Sequence, residues 1–348
     1  GHGVAANWDF SQKLPEIKID FLPQTEVPIA SAIVEEIDQS ILSIERLSKL
    51  DQQPALINEL NNFIATYEVW QKQQLQKSEN TLHVEEKATA MRITERINVA
   101  IKRMKDGVAL LKNNSKVKQA FSLANEAMLN QMVSTNTNKI LAEYNWRPFQ
   151  LGFFLLALES VVDENSQYRD TVDLIWFPTG GGKTEAYLGL IAFQIIYRRL
   201  TNSASYKGTA VIMRYTLRLL TQQQFIRATK LVCALELLRR KNEIELRLEP
   251  ITTGMWVGSA TTPNQYTNQY NEGAVEALDK AINSNKAPHK LVITECPWCA
   301  ESLWKSSRMH GYIKKPELKT IEYQCLNTKC DFYNSPLPIN VIDEALYK

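Results

Sequence analysis

A run of three glycines followed by a lysine and a threonine constrains this chain more than any other feature of its sequence. Residues 178–184 read PTGGGKT and contain Gly180, Gly181 and Gly182, three of only 13 glycines in 348 residues. The short apolar run DLIWF precedes this string, and the helix-like stretch EAYLGLIAF follows it. The order of strand, glycine loop and helix is typical of a loop that wraps around phosphate groups.

Glycines let such a loop turn tightly and direct its backbone N–H groups inward, because no Cβ atoms obstruct a ligand. These N–H groups and the positive end of the next helix bind phosphate oxygens. The expected nucleotide contacts are Thr179, Gly180, Gly181, Gly182, Lys183 and Thr184. Lys183 would reach the β and γ phosphates of ATP, and the Thr184 hydroxyl would bind Mg²⁺. The full pattern has a glycine where this chain has Phe177, and a glycine-rich turn with a chance match is the alternative.

Helices and strands alternate from about residue 141 onward. The helical patterns RPFQLGFFLLALESVV, TEAYLGLIAFQIIYRRL and LRLLTQQQFIRATKLVCALELLRRK are separated by the strand-like runs DLIWF and GTAVIMRY. This alternation is typical of βαβ units on a parallel sheet. We therefore predict an α/β lobe with a parallel sheet over residues 140–285.

The first 139 residues have a different pattern. Residues 1–30 contain three prolines and short alternating stretches, which predict an extended segment. In residues 31–139, apolar side chains recur every three or four positions, which predicts a helical domain. The predicted helices cover about 31–47, 56–70, 84–111 and 116–132. This domain contains no catalytic pattern, so we expect a structural spacer or docking surface.

Composition excludes some classes of protein. The formal net charge of +2 does not by itself indicate a nucleic-acid partner, and no apolar run reaches the length of a membrane span. No secretion signal opens the chain, so the cytoplasm is the expected location. The chain starts at Gly1 without methionine and stops after an apolar run, which suggests a piece of a longer protein.

Four of the five cysteines lie close together near the end of the chain. They form the pairs Cys296/Cys299 and Cys325/Cys330, which can place four thiolates around Zn²⁺. We predict a structural zinc module over residues 286–338; disulfides are the alternative, and a redox pair is less favoured. His289 and His310 are nearby, but neither is needed. Cys233 lies in an apolar helical pattern and reads as a core thiol.

The sequence TGGGKT at 179–184 resembles the first motif of superfamily 2 helicases, whose motor lobes are RecA-like. Upstream, the string NWRPFQ resembles the adenine-reading element of that superfamily and ends at Gln150, 33 residues before Lys183. The resemblance implies that Gln150 hydrogen-bonds the adenine edge, with Phe149 or Trp146 near the ring. The alternative is that RPFQ simply begins a helix.

Downstream, RYTLRLLTQQQF resembles the helicase element that touches the nucleic-acid backbone. This resemblance implies contacts from Thr216, Arg218 and Gln222 to Gln224. Residues 198–250 contain eleven Lys and Arg but four Glu, a local excess of seven positive charges that suits phosphate contacts. A solvated helix face is the alternative explanation of both patterns.

The last residues, LPINVIDEALYK, resemble a strand that runs into a Walker B acid pair. Asp343 would then hold Mg²⁺ through water, and Glu344 would activate the attacking water. Leu346 stands where the helicase box has histidine, so the favoured alternative is an ordinary strand end over residues 339–348. The string Ser259-Ala260-Thr261 matches another helicase motif, but no acid box precedes it, and we treat that match as a coincidence or family-specific loop.

Together, the glycine loop, RYTLRLLTQQQF, GMWVGSATTPN, the four cysteines and the opening GHGVAANW resemble the helicase subunits of DISARM antiphage defence systems. The resemblance implies an ATP-driven motor on DNA, with RNA not excluded, that works with a protein partner. It also implies a RecA-like ATP-binding lobe that is poorly active alone. The alternatives are a DNA-binding scaffold with a vestigial nucleotide site and a nucleotide switch that acts on protein partners.

Overall fold

The computed structural model describes residues 34, 36–81, 83–134, 140–177, 181–202, 204, 206–214, 218–258, 261–268, 270 and 272–346. The chain divides into two compact units, residues 1–31 and 32–348. All of the described residues lie in the second unit. Among them, no helix has both the length and the apolar character needed to cross a membrane.

Helices make up most of the described backbone. The α-helices are α1 (Ile44–Leu47), α2 (Leu56–Thr81), α3 (Val84–Asn113), α4 (Ser115–Val133), α5 (Pro148–Val162), α6 (Lys183–Thr201), α7 (Arg218–Lys241), α8 (Glu243–Leu246), α9 (Ala274–Ser284) and α10 (Asp343–Leu346). Short 3₁₀ helices cover Gln39–Leu42, Leu141–Glu143, His289–Leu291 and Pro316–Leu318. The helices predicted at 56–70, 84–111 and 116–132 are therefore confirmed, as are those that correspond to α5, α6 and α7.

The helix predicted from residue 31 to 47 is instead broken at Ser43, whose backbone is extended. Backbone hydrogen bonds to a neighbouring segment explain the break. The N–H of Ile44 donates to Tyr144 O at 3.1 Å, and the N–H of Trp146 donates to Leu42 O at 2.8 Å. These long-range bonds take the place of helical hydrogen bonds. The local periodicity could not reveal them, because their partners lie about 100 residues away in the chain.

A single asparagine separates two long helices. The N–H of Asn114 donates to Leu110 O at 2.9 Å, which completes the last turn of α3. Its side-chain oxygen accepts from the N–H groups of Lys116 and Val117, at 3.0 and 3.2 Å, and so caps the start of α4. Asparagine suits this position because its short side chain satisfies N–H groups that a helix start leaves unpaired.

One apolar core joins the helices on both sides of residue 140. Phe121 of α4, Phe154 of α5 and Phe193 of α6 are buried in it, with ring centroids 4.8 Å (Phe121–Phe154) and 6.0 Å (Phe154–Phe193) apart. Trp146 is also buried, and its indole N–H donates to Asn125 Oδ1 at 2.8 Å. This packing fixes the start of α5 against α4.

The crossing of α3 and α5 depends on a glycine. A Cβ atom at Gly107 would lie 2.1 Å from Leu155 O, a backbone atom that cannot rotate away. Glycine therefore lets the two helices approach more closely than any other residue would. As a result, α5 is held tightly by the preceding helices.

The described strands are short. They are β1 (Thr253–Gly254), β2 (Trp304–Ser306), β3 (Met309–His310), β4 (Tyr312–Lys315), β5 (Thr320–Tyr323) and β6 (Ile339–Asn340). β1 pairs with β6 in parallel, with Thr253 opposite Ile339, whereas β2–β3 and β4–β5 are antiparallel. The predicted parallel sheet is thus confirmed only as one two-stranded pair among the described residues.

The strands predicted from DLIWF and GTAVIMRY are not observed in the described residues of these two strings. Residues 173–177 and 209–214 do not form strands with other described residues. In residues 172–177 the side chains nevertheless alternate. Asp173 contacts α3 and Phe177 contacts α5, whereas Val172, Leu174 and Trp176 are 84–92% exposed. This alternation is typical of extended backbone with one face on a helical layer. Local sequence favours extension, but a strand also needs a neighbouring strand to accept its hydrogen bonds.

Candidate phosphate loop and metal centre

The glycine loop leads directly into α6. Gly182 is the residue before the helix and has a φ of +82°, which favours glycine. A Cβ atom there would lie 2.7 Å from Gln150 Nε2. Thr179 and Gly180 lie outside the described residues. The described end of the loop therefore has the backbone conformation that only glycine adopts easily, at the positive end of a 19-residue helix.

Lys183 and Thr184 are the first two residues of α6. The Lys183 ammonium donates a hydrogen bond to Phe177 O. The Thr184 hydroxyl oxygen accepts from the Tyr187 hydroxyl at 3.0 Å, which leaves it a second lone pair. A lysine folded back onto a loop acceptor, beside a helix N-terminus, fits a site for phosphate oxygens. The predicted contacts of Lys183 with ATP phosphates and of Thr184 with Mg²⁺ stay predictions.

Two side chains at the start of α5 hold the carbonyl groups of this loop. Arg147 Nη1 donates to Gly181 O at 2.6 Å, and Gln150 Nε2 donates to Gly182 O at 2.7 Å. Gln150 is 4% exposed, and its Oε1 accepts from the N–H of Arg147 at 2.7 Å. The predicted contact of Gln150 with adenine stays a prediction. Sequence reasoning missed Arg147, although the string RPFQ contained it.

Of the two aromatic residues predicted near the adenine ring, Trp146 belongs to the core. Its indole N–H is paired with Asn125, and the side chain is 2% exposed, so it is not open to a base. Phe149 stacks on Phe177, with ring centroids 4.2 Å apart and an interplanar angle of 14°. Phe177, which replaces the first glycine of the full pattern, thus has a packing role.

The Asp343-Glu344 pair begins the short helix α10, three residues after β6 ends at Asn340. Asp343 is buried, and its Oδ1 has no hydrogen-bond partner among the described residues. Burial raises the pKa of its carboxyl group, although a hydrogen bond with the Trp256 side chain acts in the opposite direction. A buried carboxylate oxygen without a partner fits a ligand to Mg²⁺ or its water. Glu344 instead accepts from the N–H of Tyr266 at 3.2 Å and pairs with Lys319 at 2.5 Å. Their Walker B role stays a prediction.

The four cysteine sulfurs predicted to bind zinc converge in space. The Sγ atoms of Cys296, Cys299, Cys325 and Cys330 all lie within 4.8 Å of one another. Two of the separations are 3.9 Å (Cys296–Cys330) and 3.4 Å (Cys299–Cys325). A tetrahedral zinc site with Zn–S bonds of about 2.3 Å has sulfurs about 3.8 Å apart. All four are free thiols rather than disulfides, so the cluster fits Zn²⁺.

Backbone N–H groups point at two of these sulfurs. The N–H of Asn327 donates to Cys325 Sγ at 3.4 Å, and the N–H of Phe332 donates to Cys330 Sγ at 3.5 Å. Such bonds orient metal ligands and stabilise the thiolate form. Burial raises the pKa of the Cys325 thiol to about 12. A bound cation would offset the cost of ionising a buried thiol, because coordination stabilises the thiolate and releases its proton to solvent.

The cysteine cluster shares a core with α7. Cys233 of α7 and Phe332 are both fully buried in this core, and Arg240 lies over the Phe332 ring at 5.0 Å. Cys233 is therefore a core thiol, as predicted. The hydroxyl groups of Tyr312 and Tyr323 donate to backbone carbonyls at 2.8 and 3.0 Å, which ties the small strands to residues 291–293.

No family model matches this chain. A search among curated proteins finds DISARM protein DrmA from Bacillus paralicheniformis, 34% identical over 375 aligned residues. The match covers all of this chain and 33% of the relative.

The chain is a homologue of DISARM protein DrmA.

This relation confirms the predicted resemblance to a DISARM protein. The chain spans about a third of the length of DrmA, and both the glycine loop and the cysteine cluster lie in the matched region because the match covers the whole chain.

The residues predicted to contact nucleic acid are only partly described. Thr216 lies outside the described residues, and Arg218 and Gln222 lie in the first two turns of α7. A nucleic-acid role for them stays a prediction.

The basic excess of residues 198–250 is partly internal. Arg199 is buried and donates to the carbonyl oxygens of Leu246, Glu249 and Pro250 at 2.6–3.0 Å. Arg239 is also buried and pairs with Glu236 at 2.8 Å. These cations hold the loop that leads to β1, so they are not available to phosphate groups of nucleic acid. The charge count therefore overstates the basic surface.

Proposed function

We infer that this chain contains the ATP-binding lobe of an ATP-dependent nucleic-acid helicase or translocase that acts in antiphage defence. The observation that carries the proposal is the arrangement around Gly182 and Lys183. A left-handed glycine, a lysine and a threonine follow one another at the start of α6, and the side chains of Arg147, just before α5, and Gln150 of α5 hold the loop. The homology to a DISARM protein supports the biological setting.

In this proposal, each loop residue has a separate role. The backbone N–H groups of the loop and the Lys183 ammonium bind the β and γ phosphates, for which Lys183 leaves Phe177 O. The Thr184 hydroxyl holds Mg²⁺, which when bound neutralises charge that develops on the phosphates. Asp343 is the candidate for a water-mediated contact with this ion. Glu344 is the candidate that orients the attacking water, and that role requires it to leave Lys319.

The remaining parts have supporting roles. We propose a second, metal-binding core in which Zn²⁺ bound by four cysteines stabilises the fold and leaves no open position for catalysis. Nucleic acid, with DNA favoured, would contact the start of α7, and the other DISARM proteins would supply partners. The RecA-like character of the lobe is part of this proposal.

Lys183→Ala tests the motor function in the intact protein. We expect the substitution to abolish DNA-stimulated ATP hydrolysis and protection against phage, because the lysine stabilises the charge on the transferred phosphate. Lys207→Ala is the matched control, since Lys207 is an exposed lysine paired with Glu249. DNA-stimulated hydrolysis that persists in Lys183→Ala would contradict the motor function.

One observation favours a second candidate, a DNA-binding scaffold with a vestigial nucleotide site. Phe177 replaces the first loop glycine, and its carbonyl oxygen already binds Lys183. In this case the zinc module and α7 bind DNA, and the nucleotide site has no role in protection. Lys183→Ala would then leave antiphage protection unchanged, and Cys325→Ser would remove it.

A further inference from the structure

Arg147 and Gln150 bind two consecutive carbonyl groups of the loop, those of Gly181 and Gly182, at 2.6 and 2.7 Å. The peptide unit is planar and trans, so the N–H of each following residue points opposite to the preceding carbonyl. Drawing these two carbonyls toward α5 therefore directs the N–H groups of Gly182 and Lys183 away from α5. Aligned N–H groups of this kind form an anion-binding concavity.

The start of α5, which carries these two side chains, is held in place by hydrogen bonds and packing. The Arg147 backbone N–H donates to Gln150 Oε1 at 2.7 Å, and the backbone N–H of Gln150 donates to Arg147 O at 2.9 Å. α5 is buried through Leu151, Phe154 and Leu155 and crosses α3 at the glycine contact described above. The guanidinium also lies close to the loop itself, because a Cβ atom at Gly182 would be 3.8 Å from Arg147 Cζ.

We propose that Arg147 is a positioning residue for the phosphate loop: through Gly181 O it sets the direction of the loop N–H groups and thereby the affinity for the polyphosphate part of a nucleotide. This proposal rests on the proposed ATP-binding function. It assigns Arg147 to the phosphates and not to the base, although the residue stands beside the position expected to read adenine. Gln150 acts on the next carbonyl in the same way.

The test compares two ligands that share a polyphosphate but differ in the base. Binding of Mg-ATP and of Mg-tripolyphosphate to the intact protein is measured by calorimetry for the wild type, Arg147→Ala and Arg147→Lys. A charge-assisted hydrogen bond contributes about 1.5–3 kcal/mol. We therefore expect Arg147→Ala to weaken both ligands by a similar factor of about 10-fold or more. Arg147→Lys should recover part of the loss, because an ammonium can still donate to Gly181 O.

Arg169→Ala is the matched control. Arg169 is an exposed arginine that donates to Ser160 O at the other end of α5, and its removal should leave both affinities unchanged. If Arg147→Ala does not fold, Arg147→Lys carries the comparison, with a partial and equal loss for both ligands expected.

Two results overturn the proposal while leaving the ATP-binding function intact. One is a loss of ATP affinity in Arg147→Ala with tripolyphosphate affinity unchanged, which would assign the residue to the base. The other is no loss for either ligand. A wild-type protein that binds neither ligand would instead overturn the proposed function, and the role of Arg147 with it.

Discussion

Arg103 of α3 donates two hydrogen bonds to the carboxylate of Asp173, at 2.6 and 2.7 Å. The arginine side chain is 5% exposed and lies over the Tyr168 ring at 4.6 Å from its centroid. Asp173 is in the extended segment that leads to the glycine loop. The pair therefore fixes the approach to the loop against a helix that the sequence assigned to a separate domain.

Asp173→Asn should destabilise the protein by about 2–3 kcal/mol. The substitution leaves the Arg103 charge buried without its partner, and breaking a buried pair costs more than the pair contributes. Urea unfolding measures the free energy. Asp106→Asn is the control, because Asp106 pairs with Lys102 at 2.7 Å on the exposed side of the same helix, where a pair contributes less than about 1 kcal/mol. Equal losses in the two variants would show that Arg103 and Asp173 are not a buried pair in solution.

Gly107→Ala and Gly152→Ala should have opposite effects on thermal stability. At Gly107 the new methyl group would overlap Leu155 O and separate α3 from α5, at a cost of about 1–3 kcal/mol. At Gly152 the nearest atom is Met104 Sδ at 3.5 Å, an ordinary contact. Alanine there should add up to about 1 kcal/mol, because it orders a helix at less entropic cost than glycine. A stabilising Gly107→Ala would mean that the helices do not cross this closely.

The purified protein should contain one zinc ion per chain, measurable by inductively coupled plasma mass spectrometry. Cys325→Ser should lose this metal and lower the melting temperature, because a structural zinc ion contributes directly to folding. Cys233→Ser is the control: its sulfur is buried in the same core but is not part of the four-sulfur cluster, so the metal should remain. Zinc retained in Cys325→Ser, or lost from Cys233→Ser, would show that the ligands are assigned wrongly.

Glu236 should make stability depend on acid pH. Burial favours its neutral form, but hydrogen bonds from Arg239, the Ile251 N–H and Arg240 outweigh burial and lower the pKa of the carboxyl group below its ordinary 4.5. A lowered pKa means that this stabilisation is present above about pH 4.5 and is lost as the pH falls through the folded value. Glu236→Gln should therefore cost about 3 kcal/mol near pH 7, and the difference from the wild type should shrink below about pH 4.

Glu243→Gln is the control for that measurement. Glu243 also contacts Arg239, at 3.5 Å, but its side chain is half exposed. Its substitution should cost little at any pH. A stability difference for Glu236→Gln that stays constant from pH 7 to pH 3 would be inconsistent with the ionised, buried carboxylate.

The long helices were predictable because each buries one apolar stripe, and a stripe at helical spacing is a property of local sequence. The cysteine cluster was predictable because two closely spaced cysteine pairs in one region are typical of a metal site. The strands were less predictable. The apolar run at 173–177 favours extended backbone, but pairing depends on a second segment far away in the chain.

For Arg147 and the buried arginines, the hydrogen-bond partners could not be predicted from the local sequence either. Nothing in the string RPFQ states that its arginine binds Gly181 O, and nothing in a charge count separates Arg199, bound to carbonyl oxygens, from a surface cation.

The sequence alone determined which segments form helices, where the glycine loop begins its helix, which cysteines can share a metal and which known protein the chain resembles. Only the tertiary structure decided which groups hold the loop, which cations are buried and which apolar residues lie exposed. The physical reason is the distance along the chain over which each kind of interaction acts. Helix periodicity and metal-ligand spacing act over a few residues, whereas burial and hydrogen-bond partners depend on groups that meet only after the chain has folded.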